Sequence, residues 1–161
     1  MTVFESIQSR RSIRRFSNKP VEREKLERIL EAMRLAPSAV NLQEWRFFIV
    51  TNPELLQTIR SNAASAPAML IAAGNGTGRM TCGHERSTVD LTIAMTLGVL
   101  QAQALGLGTC IMASFEEAHM RKALALPPEW RVPLIAPLGY PDEAPEPRPR
   151  KAFAEVCCIL D

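Results

Sequence analysis

Little separates the two signs of charge in this 161-residue chain: nineteen Lys and Arg stand against seventeen Asp and Glu, a formal net charge of +2. So small an excess argues against a nucleic-acid partner. A membrane span is missing too. Residues 91–115 carry no charge, but Thr92, Thr96, Gln101 and Gln103 interrupt them and Gly106-Leu107-Gly108 breaks them. The run falls short of the roughly 18 unbroken apolar residues a span needs. The N-terminus lacks the charged-then-apolar layout of a signal peptide, so a cytoplasmic location is expected. Four cysteines, Cys82, Cys110, Cys157 and Cys158, show no framework spacing. They read as buried free thiols of a reducing compartment. Cys82-Gly83-His84 offers two metal ligands with nothing nearby to complete four, and no metal is expected. Histidine is scarce: neither His84 nor His119 is assigned a catalytic role, and no Ser-His-Asp set is evident. Gly74-Asn75-Gly76-Thr77-Gly78 lacks both the GxGxxG pattern and a Walker lysine-serine pair, and reads as a loop.

What is present suits one soluble domain over residues 1–161, with 47% apolar and 22% charged residues and no repeat or linker. A short helix is expected from Val3 to Arg10, with Phe4 and Ile7 facing inward. Pro20 to Ala36 reads as an amphipathic helix, since Leu26, Ile29, Leu30 and Met33 recur at three- and four-residue steps. Pro37 ends it. Trp45 to Thr51 reads as a strand, and Pro53 opens a helix to about Asn62. Ala68 to Ala73, Leu107 to Ala113 and Val132 to Tyr140 read as further strands, with a helix near Glu116 to Leu126. Glu85 to Leu105 is a helix with two apolar stripes. Leu91, Met95, Gly98, Ala102 and Leu105 form one; Ile93, Leu97, Leu100 and Ala104 form the other. Such a helix must be covered on both sides, either by its own chain or by a second subunit approaching closely at Gly98. A proline-rich extended arm, Pro141 to Pro149, precedes a terminal strand, Glu155 to Leu160, on which Cys157 and Cys158 would point to opposite faces.

The most informative local feature is Arg10-Arg11-Ser12-Ile13-Arg14. Guanidinium groups grip phosphate through paired, charge-assisted hydrogen bonds, and a serine hydroxyl can complete the cage. A second basic cluster, Arg148-Pro149-Arg150-Lys151, lies near the other end of the chain. If the two meet, they enclose one phosphate; if not, both are solvated surface charge.

Four stretches in sequence order resemble the nitroreductase family of flavoproteins: Arg10-Arg11-Ser12-Ile13-Arg14-Arg15-Phe16, Ala36-Pro37-Ser38-Ala39-Val40-Asn41-Leu42-Gln43 leading to Trp45, Ala104-Leu105-Gly106-Leu107-Gly108-Thr109, and the closing Pro149-Arg150-Lys151. The resemblance implies an α+β, three-layer fold with a central mixed or antiparallel sheet flanked by helices. It also implies an intertwined homodimer with an extended C-terminal arm, FMN at the subunit interface, and NAD(P)H as electron donor to a small organic acceptor. Carried over residue by residue, Arg10, Arg11 and Ser12 match the grip on the FMN phosphate, and Arg148 and Arg150 the tail residues that close over it. Arg14 matches the basic position near the pyrimidine edge of the flavin. Pro37, Ser38, Ala39 and Asn41 match the partner-subunit loop lining the ring and ribityl chain. Ala113 and Ser114 match positions whose backbone N–H groups address flavin N5 and O4.

The residue chemistry agrees with these roles. A fixed cation near N1 and O2 of a flavin favours its reduced, negatively charged form. Asn41 can both donate and accept, although turn and helix capping would also explain Asn41 and Ser38. Two departures stand out. Glu44 occupies a position where the family often has proline, and little sequence between Thr51 and Glu85 is available for a helical flap. The resemblance therefore implies an FMN-dependent oxidoreductase reducing a nitroaromatic or quinone-like acceptor. The alternatives are a flavin-binding module without turnover, or a flavoenzyme of the same fold that performs dehalogenation or dehydrogenation.

Overall fold

Ala68 to Gly74 are seven consecutive buried residues, a run that only a strand covered on both faces can carry. The computed structural model, which describes residues 1–59 and 66–160, places that run at the centre of a sheet. The elements are α1 (Val3–Ser9), α2 (Arg23–Arg34), a 3₁₀ turn (Ala39–Asn41), β1 (Trp45–Val50) and α3 (Pro53–Ile59). They continue with β2 (Ala68–Asn75), α4 (Arg86–Ala104), β3 (Gly108–Thr109), α5 (Glu117–Ala123), β4 (Trp130–Gly139) and α6 (Phe153–Val156). The four strands lie in the order β1-β2-β4-β3, and every pairing is antiparallel.

Period-two alternation then divides the core into two. Leu70, Ala72, Ala136 and Leu138 face α2 and α4, where Ile29, Met33, Leu91, Met95 and Val99 complete one cluster. Met69, Ile71 and Ile135 face Leu56, Ile59 and Met120 of α3 and α5. The result is the expected α+β arrangement: helices, sheet, helices. Tyr140, just past β4, ties the sheet to the start of α2. Its hydroxyl donates to Glu22 (2.5 Å) and accepts from Lys25 (2.7 Å), and the Tyr140 bond holds the Glu22 carboxyl down to about 2.

Several expectations need correction. Phe4 and Ile7 do not face inward; they are 65% and 51% exposed, because α1 docks through the opposite edge, where Ser6 is buried. Of the two covers left open at Gly98, the chain's own applies: a Cβ there would lie 2.7 Å from Met33 Cγ, so α2 fills that approach. The second stripe of α4 is less covered, with Ile93 and Ala104 exposed. Gly74 and Asn75 belong to β2 rather than to the following loop. The strand expected over Leu107 to Ala113 is two residues of β3 followed by an isolated pairing of Met112 with Ile135. The expected extension of α3 to Asn62 lies outside the described residues.

No terminal strand forms. Glu155 accepts the Ala152 N–H (3.0 Å) and nucleates the single turn α6, after which residues 157–160 run without a strand partner. Cys157 and Cys158 are therefore exposed, as is Cys82; of the four free thiols only Cys110 is buried.

Candidate functional site

The two basic clusters meet, and the backbone shows why. Arg10 leaves helical geometry (φ −56°, ψ 131°), which turns the following segment toward β3. There the Ile13 N–H donates to Thr109 O (2.9 Å), and Ser12 bridges Thr109 in parallel. Gly108 makes this approach possible: a Cβ at that position would lie 2.8–3.0 Å from Cγ1, Cβ and Cγ2 of Ile13. Further along, Ser17 N–H donates to Tyr140 O (2.9 Å), Phe16 bridges Pro141, and Asp142 N–H donates to Arg15 O (3.0 Å). The proline-rich tail is thus zipped to the segment that follows α1.

Glu143 fastens the zipper. Its Oε1 accepts the N–H groups of Arg14 (2.5 Å) and Arg15 (3.1 Å), and its Oε2 pairs with the Arg15 guanidinium (3.5 Å). The Arg14 and Arg15 amides hold its carboxyl below the usual carboxylate range. Because the folded value is depressed, this stabilisation is complete above about pH 4.5 and disappears as pH falls through the folded value. Glu143→Gln should therefore lower the thermal unfolding midpoint at pH 7, and the gap from wild type should narrow once the pH falls below about 4.5. Melting curves across that range check it; a gap independent of pH would show that the charge contributes nothing.

Downstream of Glu143 the tail turns across the Arg10–Arg14 segment and leaves a cleft of about 600 Å³ between them. Arg10, Arg11, Ser12, Arg14, Arg148 and Arg150 all line it. Arg11 turns its guanidinium onto the carbonyls of Gln8 (2.8 Å) and Arg10 (3.0 Å), and Arg150 turns onto those of Arg148 and Pro149. These bonds to neutral carbonyls neutralise none of the guanidinium charge, and Glu146 is the one acidic residue among the five arginines of the lining, so the cleft keeps a positive excess. Such a cleft suits a dianion. Arg14 also lines a second cavity of about 300 Å³ with Ile13, Cys110, Met112, Ala113 and Ser114. One cation therefore borders both spaces.

The remaining expected residues are not brought there. Pro37, Ser38, Ala39 and Asn41 lie on the loop between α2 and β1 and line neither cavity. That loop is held from α4, since the Ala39 N–H reaches both Asp90 oxygens (3.1 and 3.2 Å). Glu44, the departure noted in the sequence, pairs with Arg86 (2.5 Å) and accepts from Asn75 Nδ2 (3.1 Å). Glu143 and Asp90 were missed by sequence reasoning. Glu143 left a faint signal as an acidic residue at the head of a basic tail; Asp90 left one as the sole acidic residue between Arg86 and Phe115.

A central antiparallel sheet between two helical layers, with its chain ends gathered into a basic cleft, defines an α+β protein equipped for an anionic ligand. Comparison with known proteins makes this specific. The family model described as "Nitroreductase family" matches residues 7–77 and 61–140. A protein provisionally named NADH dehydrogenase/NAD(P)H nitroreductase, from Methanothermobacter thermautotrophicus, is 32% identical over 92% of this chain and 82% of its own. A solved nitroreductase family protein from Clostridium difficile 630 superposes with a TM-score of 0.89 at 26% identity, covering 100% of this chain and 99% of that one. An FMN-dependent nitroreductase from Clostridium difficile R20291 does so with a TM-score of 0.83 at 26% identity, covering 98% and 99%. This chain belongs to the nitroreductase family and is an oxidoreductase of that type. No helix among the described residues is long and apolar enough to cross a membrane.

Proposed function

We propose that the protein is a cytoplasmic, homodimeric, FMN-dependent oxidoreductase that passes electrons from NAD(P)H to a small nitroaromatic or quinone-like acceptor. The observation that carries this reading is the shared position of Arg14, between the arginine-lined cleft and the Ala113–Ser114 cavity. A phosphate at one end and a ring at the other would follow that path. The residues present fit the group: Arg10, Arg11, Ser12, Arg148 and Arg150 would hold the phosphate. Arg14 would set a fixed positive charge beside the ring. The small side chains of Ala113 and Ser114 would let their backbone come close to it. The flavin, when bound, supplies hydride exchange at N5.

Pro37, Ser38, Ala39 and Asn41 would complete the pocket from a second copy of the chain. Exposed Phe4, Ile7, Phe153, Val156, Ile159 and Leu160 support a partner, because apolar side chains grouped on α1 and the tail gain by being covered. Within one chain, residues 1–161 act as a single domain. Since no Ser-His-Asp chemistry is required, the protein's part is placement, exclusion of water and tuning of charge.

Purified protein should be yellow and release FMN on denaturation, and NADH or NADPH should bleach it anaerobically. Colourless protein that ignores added FMN would refute the reading. Flavin that binds but is not reduced at useful rates would favour a binding module without turnover.

A further inference from the structure

The loop after α2 carries three non-glycine residues in left-handed geometry: Val40 (φ 47°), Asn41 (φ 58°) and Gln43 (φ 52°). For a β-branched residue such as Val40 this conformation is a true outlier, and it persists only where surrounding bonds over-determine the backbone. Packing does not hold it, because Val40 is 88% exposed. Hydrogen bonds do. Gln43 N–H donates to Ser38 Oγ (3.1 Å), and Asn41 N–H donates to Ser38 O (2.9 Å). These bonds close the loop on itself. What fixes it to the rest of the molecule at its head is the Ala39 N–H, aimed between the two oxygens of Asp90.

Asp90 is buried on α4 beside Leu91 and Ala94 of the main core, where a carboxylate is costly unless it is engaged. One turn earlier on the same helix, Arg86 grips Glu44 at the loop's other end. The first turns of α4 therefore hold both ends of the strained segment.

We infer that Asp90 is a positioning residue for the flavin site: its carboxylate sets the shape in which the Ser38–Gln43 loop presents Asn41 to the ring. The inference rests on the FMN reading above and names the residue that enforces one part of it. Asp90 itself touches neither cavity; it acts through the Ala39 N–H.

Two substitutions remove this bond from opposite sides. Asp90→Ala deletes the acceptor. Ala39→Pro deletes the donor, and Ser38 already has the extended geometry (φ −134°, ψ 159°) that a residue before proline prefers. In the full-length protein, each should weaken FMN binding by about tenfold or more and shift the visible absorption bands of bound flavin equally. The double variant should be no worse than either single one within about twofold, and Asp90→Asn, which keeps an acceptor oxygen, should restore affinity to within about threefold of wild type. Additive losses would overturn the inference. So would a lowered unfolding temperature with affinity and spectrum unchanged, the result expected of a merely structural carboxylate. If Asp90→Ala does not fold, Ala39→Pro decides alone: an unaltered spectrum and affinity refute the assignment. Wild-type protein that binds no FMN is a separate outcome, which overturns the functional reading and this inference with it.

Discussion

Removing Arg10 and Arg150 together, as Arg10→Ala with Arg150→Ala, should lower FMN affinity by roughly 10²–10⁴-fold. The two residues come from opposite ends of the chain and line one cleft. Each charge-assisted hydrogen bond to a phosphate contributes on the order of 1.5–3 kcal/mol, so two lost together give about 3–6 kcal/mol. Arg150 lies in the irregular tail, with its Nη1 on carbonyls of its own segment, and Arg10 follows the last turn of α1. Neither side chain supports the core, so the unfolding temperature should hardly move. Fluorescence titration of the apoprotein with FMN measures the effect, and repeating it at higher salt should shrink the wild-type advantage because the attraction is partly screened. An affinity within threefold of wild type would place the phosphate elsewhere.

Charge patterning made those arginines legible, and periodicity did the same for the scaffold. Leu26, Ile29, Leu30 and Met33 mark α2 because one helix face meets one sheet face. Local reading failed where a tertiary contact decides the outcome. Phe4 and Ile7 carry the apolar spacing of a buried face, yet α1 docks by Ser6. Apolar spacing identifies a face that favours cover without saying which surface supplies it. The tail failed for the opposite reason: an i, i+3 contact between Ala152 and Glu155 outcompetes β propensity where no neighbouring strand is available. The strained loop was legible as a motif but not as a shape, since Val40 gives no warning of a left-handed backbone. Its restraint, Asp90, lies 51 residues away from Ala39. Long-range pairings of that kind leave almost no trace in a single sequence.

Gly108 tests whether the cleft depends on backbone docking as well as on charge. Gly108→Ala should both destabilise the protein and weaken FMN binding, whereas Gly106→Ala should only destabilise it. Gly106 sits at φ +76° with nothing within 4 Å of where a Cβ would stand, so alanine there meets backbone strain of about 1–2 kcal/mol and no neighbour. At Gly108 the added carbon would stand 2.8–3.0 Å from Cγ1, Cβ and Cγ2 of Ile13. Ile13 is β-branched and buried, and one of those atoms is its Cβ, so rotation about χ1 cannot clear the clash. The backbone must give way, at a cost of about 1–3 kcal/mol. The segment that moves is the one whose Ile13 N–H bonds Thr109 O, and it carries Arg10, Arg11, Ser12 and Arg14 into the cleft. Displacing it separates the guanidinium groups from the Arg148–Arg150 side while leaving every charge in the sequence. Thermal melts and FMN titrations of the two variants separate these effects, and Ile13→Ala added to Gly108→Ala should recover part of the lost affinity. Equal FMN affinities in the Gly106 and Gly108 variants would mean that the basic segment reaches its ligand without being seated on β3.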